Sequence, residues 1–578
     1  MRLLLSFYRR FLRYRRALFL GYLCIPLAQV SDIAVTVLIG RAIKRIHAER
    51  EADFLAGVMV LMAVFALTHA VFRYLQRWLI VVVSRRVEND LKQQLFDKLT
   101  SLSFAFHNRS RSGDVVSRVT SDVENLRMFL GPGMMYTVGA AVAVPVSLAV
   151  LFTLHAPLAS TMLLPMLLMA GVMKAFTPRL HRHSTAVQES LAEISHRAQE
   201  NFSGIRIVKG YNREDQQARR FVETSGTNRV NQVALARSRG LVHAAIGGAN
   251  DMTFVVILVV GGLAAIDRTL AVGDLFMFID LTFKVFWPLI ALGWIAGMYP
   301  RAIASAERVQ ELLDESPDVV DAPGAVRKDV RGALELREVG FSYNGAPALS
   351  GISVDVPAGS TLGVVGPTGC GKTTLLNLLG RLYDCDGEIL VDGTSIRSIA
   401  LGSLRGALGY VPQDSFLFSE TFRENVRFGA DGELDDDEIE RLVECARMTD
   451  EVAAFPNGID QLIGERGVTL SGGQRQRTCI ARALARRPKI LVLDDCLSAV
   501  DSETEKELVA NLRHEGEGRT VVVAAHRLST VRDADQILVM TERGGVEAIG
   551  THDELIARDG WYRATWRQQQ RLEELSEI

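Results

Sequence analysis

Residues 363–379 read GVVGPTGCGKTTLLNLL, in which Gly366, Gly371, Lys372 and Thr373 fall at the spacing G-x-x-x-x-G-K-T. Aliphatic residues precede the glycines and a leucine-rich run follows them, so a strand is expected to turn through glycine into a helix. Glycines let backbone N–H groups point inward at phosphate oxygens, and the helix start adds favourable partial charge. Lys372 is then expected to reach the terminal phosphates and the Thr373 hydroxyl to ligand Mg²⁺. Pro367, Thr368, Gly369, Cys370 and Thr374 complete the expected cradle. A chance glycine turn would not carry the Lys-Thr pair between a strand and a helix.

Further along, KILVLD (489–494) reads as a buried strand ending in Asp494, an acid placed to hold the same Mg²⁺. A second acid, Asp495, follows at once, and the stretch continues CLSAVD to Asp501. Between the two phosphate-handling segments lies LSGGQRQR (470–477), just before a helical pattern. Ser471, Gly472, Gly473 and Gln474 there describe another anion cradle at a helix start. One chain gives it no obvious phosphate to hold, unless that phosphate belongs to another chain.

At 578 residues the chain is too long for one core. A net charge of −2 gives no reason to expect nucleic acid. Hydrophobic residues reach 48% beside 23% charged ones, which fits membrane spans joined to a soluble domain. The six cysteines (Cys24, Cys370, Cys385, Cys445, Cys479 and Cys496) have no CxxC or CxxH spacing. They read as reduced thiols, with neither disulfides nor zinc expected.

The first sixteen residues carry six arginines and no acid, and a long apolar run follows over 17–43. That run is longer than a signal-peptide core and long enough to cross a bilayer. Similar runs near 54–83, 129–153, 157–178, 246–267 and 273–297 make six expected spans. The loops 84–128 and 179–245 are long, helical in pattern and rich in Arg and Lys, which puts them in the cytoplasm. Val87, Leu91, Leu95, Leu99 and Leu102 recur at helical spacing, so the spans are expected to continue as cytosolic rods. The expected plan is therefore an all-α six-span domain over 1–310, a linker over 311–330, and an α/β domain over 331–578 with a helical tail.

Ionisable residues within the spans invite two readings. Gln29 and Asp32 lie one turn apart, Asp280 and Lys284 at i,i+4, and Phe276, Phe283, Trp287 and Trp294 share roughly the latter face. They form either an intrahelical ion pair beside packing aromatics or the wall of an amphipathic cavity.

Taken in order along the chain, these motifs resemble the ATP-binding cassette family, specifically the exporter type that carries membrane and nucleotide domains on one chain. The resemblance implies that Tyr343, in VGFSYNG, stacks on adenine and that Gln413, in YVPQDSFLF, senses the γ-phosphate through Mg²⁺ or water. It further implies that His526, in AAHRLS, is the γ-phosphate switch, that GERG (464–467) contacts the intracellular loops, and that SAVD (498–501), ending in Asp501, is the D-loop. FAFHNRSRSGDVVSRV and ENFSGIRIVKGYNRE resemble the two loops that carry coupling helices. The family also accounts for the lone LSGGQ, since two cassettes bind head to tail with ATP between one chain's P-loop and the other's signature. One set of six spans and one cassette make this chain a half-transporter that must dimerise, at a membrane with its nucleotide domain in the cytoplasm.

In that family the residue after the Mg²⁺-binding Asp is usually Glu, placed to polarise the attacking water; here it is Asp495. The shorter arm marks a weakened base, as in the degenerate half of a heterodimeric exporter whose intact LSGGQ completes a partner's site. A homodimer in which Asp495 still works is the alternative. The expected function is ATP-driven, multidrug-type export of hydrophobic or amphipathic compounds. Lipid or lipid-linked translocation and peptide export stand behind it, although no protease-like domain precedes the spans to favour peptides. A channel gated by ATP is the competing class.

Overall fold

The computed structural model describes residues 2–49, 54–464, 467, 469–498, 500, 502–514 and 518–576. The chain divides into two compact units: Met1–Leu99 with Gly113–Asp314, and Thr100–Ser112 with Glu315–Ile578.

The first unit is all helical. Its long helices are α1 (Arg15–Glu49), α2 (Leu55–Ser101), α3 (Met134–Leu154), α4 (Ala156–Ser203), α5 (Glu214–Ile266) and α6 (Val272–Asp314). Among the described residues, five helical segments are long and apolar enough to cross a membrane. The remaining expected span, 157–178, falls on α4, whose fully described apolar stretch is Ala156–Pro165. Two π-helical turns, Arg118–Asp122 and Phe129–Gly133, precede α3, the second containing Pro132. On α2, Val87, Leu91 and Leu95 are buried, as the spacing predicts for a rod with one packed face.

Glycine lets two of these helices cross closely. A Cβ on Gly273 of α6 would stand 2.0 Å from the Gly40 carbonyl oxygen of α1, so only two bare backbones can meet there. A Gly273→Leu chain is expected to lose about 1–3 kcal/mol of stability through overpacking, read as a lower unfolding midpoint in detergent. Deeper in the cytosolic rods, Asp122 is almost wholly buried and accepts hydrogen bonds from the Ser305 hydroxyl at 2.8 Å and Arg308 Nε at 2.8 Å.

The second unit is α/β. An antiparallel sheet of order β2-β1-β4-β5 comprises β1 (Leu334–Tyr343), β2 (Ala346–Val356), β4 (Asp386–Val391) and β5 (Thr394–Ser395). A six-stranded sheet runs β10-β9-β3-β8-β7-β6, with β3 (Thr361–Val365), β6 (Leu408–Val411), β7 (Ile490–Asp494), β8 (Thr520–Ala524), β9 (Gln536–Met540) and β10 (Val546–Gly550). All its pairings are parallel except β9 with β10. Burial on both faces explains why these strands read as unbroken Val, Ile and Leu. The helices that matter below are α7 (Lys372–Leu379), α8 (Gly472–Ala485), α9 (Ser502–His514) and α10 (Trp561–Ser576).

The boundaries differ from the expected linker at 311–330. Helix α6 continues to Asp314, Asp321 accepts a hydrogen bond from the Leu401 N–H at 2.7 Å, and Val330 is buried in the β-sheet core. The short helix Phe104–Arg109 belongs to the second unit, where Asn108 donates to the Tyr383 hydroxyl at 2.7 Å and Phe104 meets the same ring edge-on.

Candidate functional site

In open parallel sheets, ligands gather at the carboxyl ends of the strands. Here β3 leads into the glycine loop and α7, β7 ends in Asp494, β8 leads to His526, and β6 leads to Gln413. Four of the expected segments thus leave one edge of one sheet. Asp501 lies outside the described residues, as do Glu465 and Arg466 of the GERG stretch.

The glycine loop demands its glycines for two different reasons. Gly366 (φ +156°) and Gly371 (φ +98°) leave no room for a Cβ, which would fall 2.8 Å from Met540 O and 2.6 Å from Leu349 Cδ2 respectively. Gly369 (φ +84°) faces open space, so there the backbone conformation alone excludes side chains. Gly371 starts α7, and the buried Lys372 donates through Nζ to the carbonyls of Gly366 (2.9 Å) and Pro367 (3.2 Å). Its ammonium is therefore held inside the loop. Burial pushes the Cys370 thiol up despite the neighbouring lysine, consistent with a reduced, inert cysteine. All six cysteines are free and buried.

Thr373 Oγ1 donates to Asp494 Oδ1 at 3.1 Å. Asp494 is 2% exposed, and its other oxygen, Oδ2, is buried without a hydrogen-bond partner among the described residues. Burial pushes the Asp494 carboxyl above its ordinary range; Asp495 adds to this, while the Thr373 hydroxyl, Lys372 and His526 oppose it. A desolvated carboxylate with an orphaned oxygen beside a threonine hydroxyl is a donor set suited to a hard divalent cation such as Mg²⁺.

Asp495 itself has φ +43°, in the left-handed region that Asp tolerates better than most residues. Its N–H donates to Ala524 O at 2.9 Å and its carbonyl accepts from the Ser498 hydroxyl at 3.0 Å. Ser498 in turn lies 3.4 Å from Gln476 Nε2 of α8. The backbone of Asp495 is thus pinned on both sides.

Tyr343, at the end of β1, is 39% exposed, with its hydroxyl 3.3 Å from Thr374 Oγ1 and its ring edge-on to Phe341 and Tyr383. Gln413 and His526 are exposed. Ser471 caps α8 in a reciprocal capping box with Gln474 (3.2 and 3.0 Å), and Gly472 and Gly473 form the first turn. This second cradle stands on a different hydrophobic core from α7: Leu375 and Leu376 belong to one cluster, Cys479 and Ile480 to another.

Sequence reasoning missed two side chains around His526. Gln569 of α10 donates to the His526 carbonyl at 2.9 Å and accepts from the Leu528 N–H at 2.9 Å, spanning the loop like a staple. Buried Glu505 of α9 binds Arg527 at 2.8 Å and also the Thr530 hydroxyl. Nothing local in the sequence marks Gln569, since its partners lie over forty residues away. A Gln569→Leu chain is expected to lose about 1–2 kcal/mol, because the buried Leu528 N–H is left unpaired. If the staple positions His526, hydrolysis slows severalfold while ATP affinity holds, a split read from kcat against Kd.

In the helical unit, Lys284 binds Asp280 at 3.2 Å within α6 and also Asp32 of α1 at 3.0 Å, and it donates to Thr36 Oγ1 at 2.8 Å. The ion pair expected within one helix is thus an interhelical cluster. A cavity of about 220 Å³ lies beside it, lined by Gln29, Asp32, Lys284 and Trp287 among others. Of the four aromatics expected on that wall, Trp287 lines it; Trp294 packs edge-on against Tyr136, while Phe276 and Phe283 are not part of the lining. His69, Arg73 and Arg77 of α2 also line it, at i, i+4 and i+8, a row legible in the sequence but overlooked.

A helical membrane unit followed by a P-loop ATPase unit defines an ATP-driven membrane transporter. Residues 18–289 match the family described as ABC transporter transmembrane region, and residues 349–498 the family described as ABC transporter. The chain is 34% identical over 576 residues to the multidrug resistance-like ATP-binding protein MdlA of Escherichia coli, covering 98% of this chain and 95% of that protein. It is 32% identical over 567 residues to an ATP-dependent lipid A-core flippase of Desulfotalea psychrophila, covering 97% and 98%. A solved bacterial Atm1-family ABC exporter with ATP bound superposes with a TM-score of 0.80 at 28% identity, covering 96% of this chain and 99% of that one. The chain belongs to the ABC exporter family: it is an integral membrane protein whose ATP-binding domain faces the cytoplasm.

Proposed function

We propose that this chain is one half of a dimeric exporter that uses ATP to move hydrophobic or amphipathic compounds out of the cell by alternating access. The observation that carries the reading is the separation of its two anion cradles. The Lys372 loop and the Ser471 cap stand on different cores, which suits a nucleotide shared between two chains. Lys372, Thr373 and the Gly366–Gly371 backbone would hold the phosphates of one ATP, with Tyr343 against adenine and the Thr374 side chain beneath it. Ser471, Gly472, Gly473 and Gln474 would receive the γ-phosphate of the partner's ATP, with Asp501 alongside.

Thr373, Asp494 and Gln413 would hold Mg²⁺, which supplies charge neutralisation at the phosphates. Asp495 would orient and deprotonate the attacking water, and His526 would contact the γ-phosphate. The family places Glu where Asp495 stands, so this chain's own site is read as weakened and its partner as a different half with a working Glu. ATP closes the pair and hydrolysis releases it. The short exposed segment Ile205–Gly210, with Phe202, Ile207 and Tyr211 turned to solvent, offers an apolar tip of the kind a second subunit would cover.

The test is uphill movement. Inside-out vesicles carrying the protein, with its partner where one is needed, should accumulate a fluorescent amphiphile against its gradient when given ATP. Vesicles with Lys372→Ala should not. Movement that only ever runs downhill would make the protein an ATP-gated channel instead. A lipid substrate is the second reading, favoured by the 32% identity to a protein named as a lipid A-core flippase.

A further inference from the structure

The cavity's charges are not all spent. Lys284 is committed to Asp32 and Asp280 at 3.0 and 3.2 Å, and Asp280 is additionally bonded by the Thr36 hydroxyl. Each acid of the cluster therefore already has a partner, and the one ammonium offsets one of the two carboxylate charges. Arg73 and Arg77 of α2 line the same space. Neither makes a hydrogen bond or ion pair among the described residues, and both are exposed. His69, one turn above Arg73, is occupied with the Ala28 carbonyl at 2.9 Å. At 1.5 Å of rise per residue the two guanidinium-bearing positions stand about 6 Å apart along one helix face, close enough to share one anionic group. Trp287, 69% exposed, supplies an apolar wall to the same cavity.

Arginine within an apolar span is costly unless it faces a cavity or a partner. Lys284 offsets one of the two carboxylate charges, so with Arg73 and Arg77 the five groups sum to +1; two arginines without partners among the described residues and one surplus positive charge suit a single anionic group. We infer that this cavity selects amphipathic anions: a carboxylate, sulfonate or phosphate head on Arg73 and Arg77, and an apolar body against Trp287. The inference rests on the export reading and sharpens it. The anion comes either from the aqueous side as a free amphiphile or from the bilayer as an anionic lipid; the head-group chemistry is the same.

The test uses the full-length chain in neutral detergent and two ions of matched shape and opposite charge, tetraphenylborate and tetraphenylphosphonium, with binding measured by calorimetry against empty micelles. Tetraphenylborate is expected to bind on the order of tenfold tighter. R73Q/R77Q should abolish that preference, and R73K/R77K should keep most of it. If the double Gln variant does not fold, R73Q and R77Q singly should each lose about threefold. Displacement of tetraphenylborate by phosphatidylglycerol but not phosphatidylcholine identifies a lipid source, and failure of either lipid to displace it identifies a free amphiphile; both outcomes support an anion site. Equal or tighter binding of tetraphenylphosphonium overturns it. So does a preference that survives the Gln variants, which would mean the arginines reach toward lipid head groups instead. ATP-driven accumulation without any charge preference would sink this inference and leave the export reading standing. Anion preference without ATP-driven accumulation would do the reverse.

Discussion

An Asp495→Glu chain is expected to hydrolyse ATP on the order of a hundredfold faster than the wild type, because a misplacement of about 1 Å at a catalytic base costs that much. Aspartate is one methylene short of glutamate, and the structure offers no easy way to recover the reach. The Asp495 N–H is tied to Ala524 of β8 at 2.9 Å and its carbonyl to the Ser498 hydroxyl at 3.0 Å. Moving the carboxylate forward would break one tie or the other. The measurement is steady-state ATPase of the purified chain and of the variant, in the same lipid. A near-silent wild type rescued by Glu assigns Asp495 as a weakened base and directs attention to a partner with a complete site. Vigorous hydrolysis by the wild type alone, unimproved by Glu, would mean a self-sufficient homodimer. The backbone at φ +43° sets a small opposing effect, since Glu tolerates that region less well than Asp, so the variant should melt slightly lower even as it turns over faster.

Asp494→Asn should separate stability from metal binding. In the absence of nucleotide the buried carboxylate is a liability: its Oδ2 is unpartnered and burial holds its pKa above the ordinary value. Removing the charge should raise the unfolding midpoint of the nucleotide unit by about 2–4 °C, the shift that about 1 kcal/mol produces in a unit of this size. The same change should weaken Mg²⁺-dependent ATP binding by on the order of a hundredfold, or about 2.7 kcal/mol. The pH dependence follows from the sign of the shift. A carboxyl with a raised folded pKa is destabilising when ionised, so its penalty is fully present above the folded pKa. That penalty is relieved as pH falls through the folded pKa toward the unfolded value. Protons and Mg²⁺ compete for the same oxygens, so Mg²⁺ affinity should fall across that window, beginning at a higher pH than an ordinary Asp would show. A variant that melts no higher than the wild type, with Mg²⁺-dependent binding intact, would mean that Asp494 is neither strained nor a ligand.

Much of the site is legible in short stretches of sequence. Contiguous residues encode the glycine loop, because a phosphate cradle is a local backbone shape; Gly366 and Gly371 are glycine for reasons visible in their own φ angles and in neighbours that close packing brings within 3 Å. The start of α8 is equally legible, since a capping box spans four residues. The membrane spans follow from length and composition. Two readings fall short for one reason. The stretch at 311–330 reads as a free linker on composition, yet Asp321 and Val330 are engaged by a sheet and helix far away in sequence. Asp280 and Lys284 read as either a pair within one helix or part of a cavity wall; Asp32 joins them from 252 residues upstream of Lys284, and Asp32 and Lys284 line a cavity.

By itself, then, the sequence determined the order of the parts: helical spans first, a P-loop cassette second, and two successive aspartates, Asp494 and Asp495, at the end of a buried strand. These are local facts, carried by spacing, period and residue type within a few turns of chain. Tertiary structure decided which charges remain free. Asp32 pairing with Lys284, Arg73 and Arg77 lining the cavity without a partner among the described residues, and Gln569 gripping both sides of the His526 loop all depend on packing between distant segments. An ion's worth depends on its neighbours within about 4 Å, and sequence spacing does not report those neighbours.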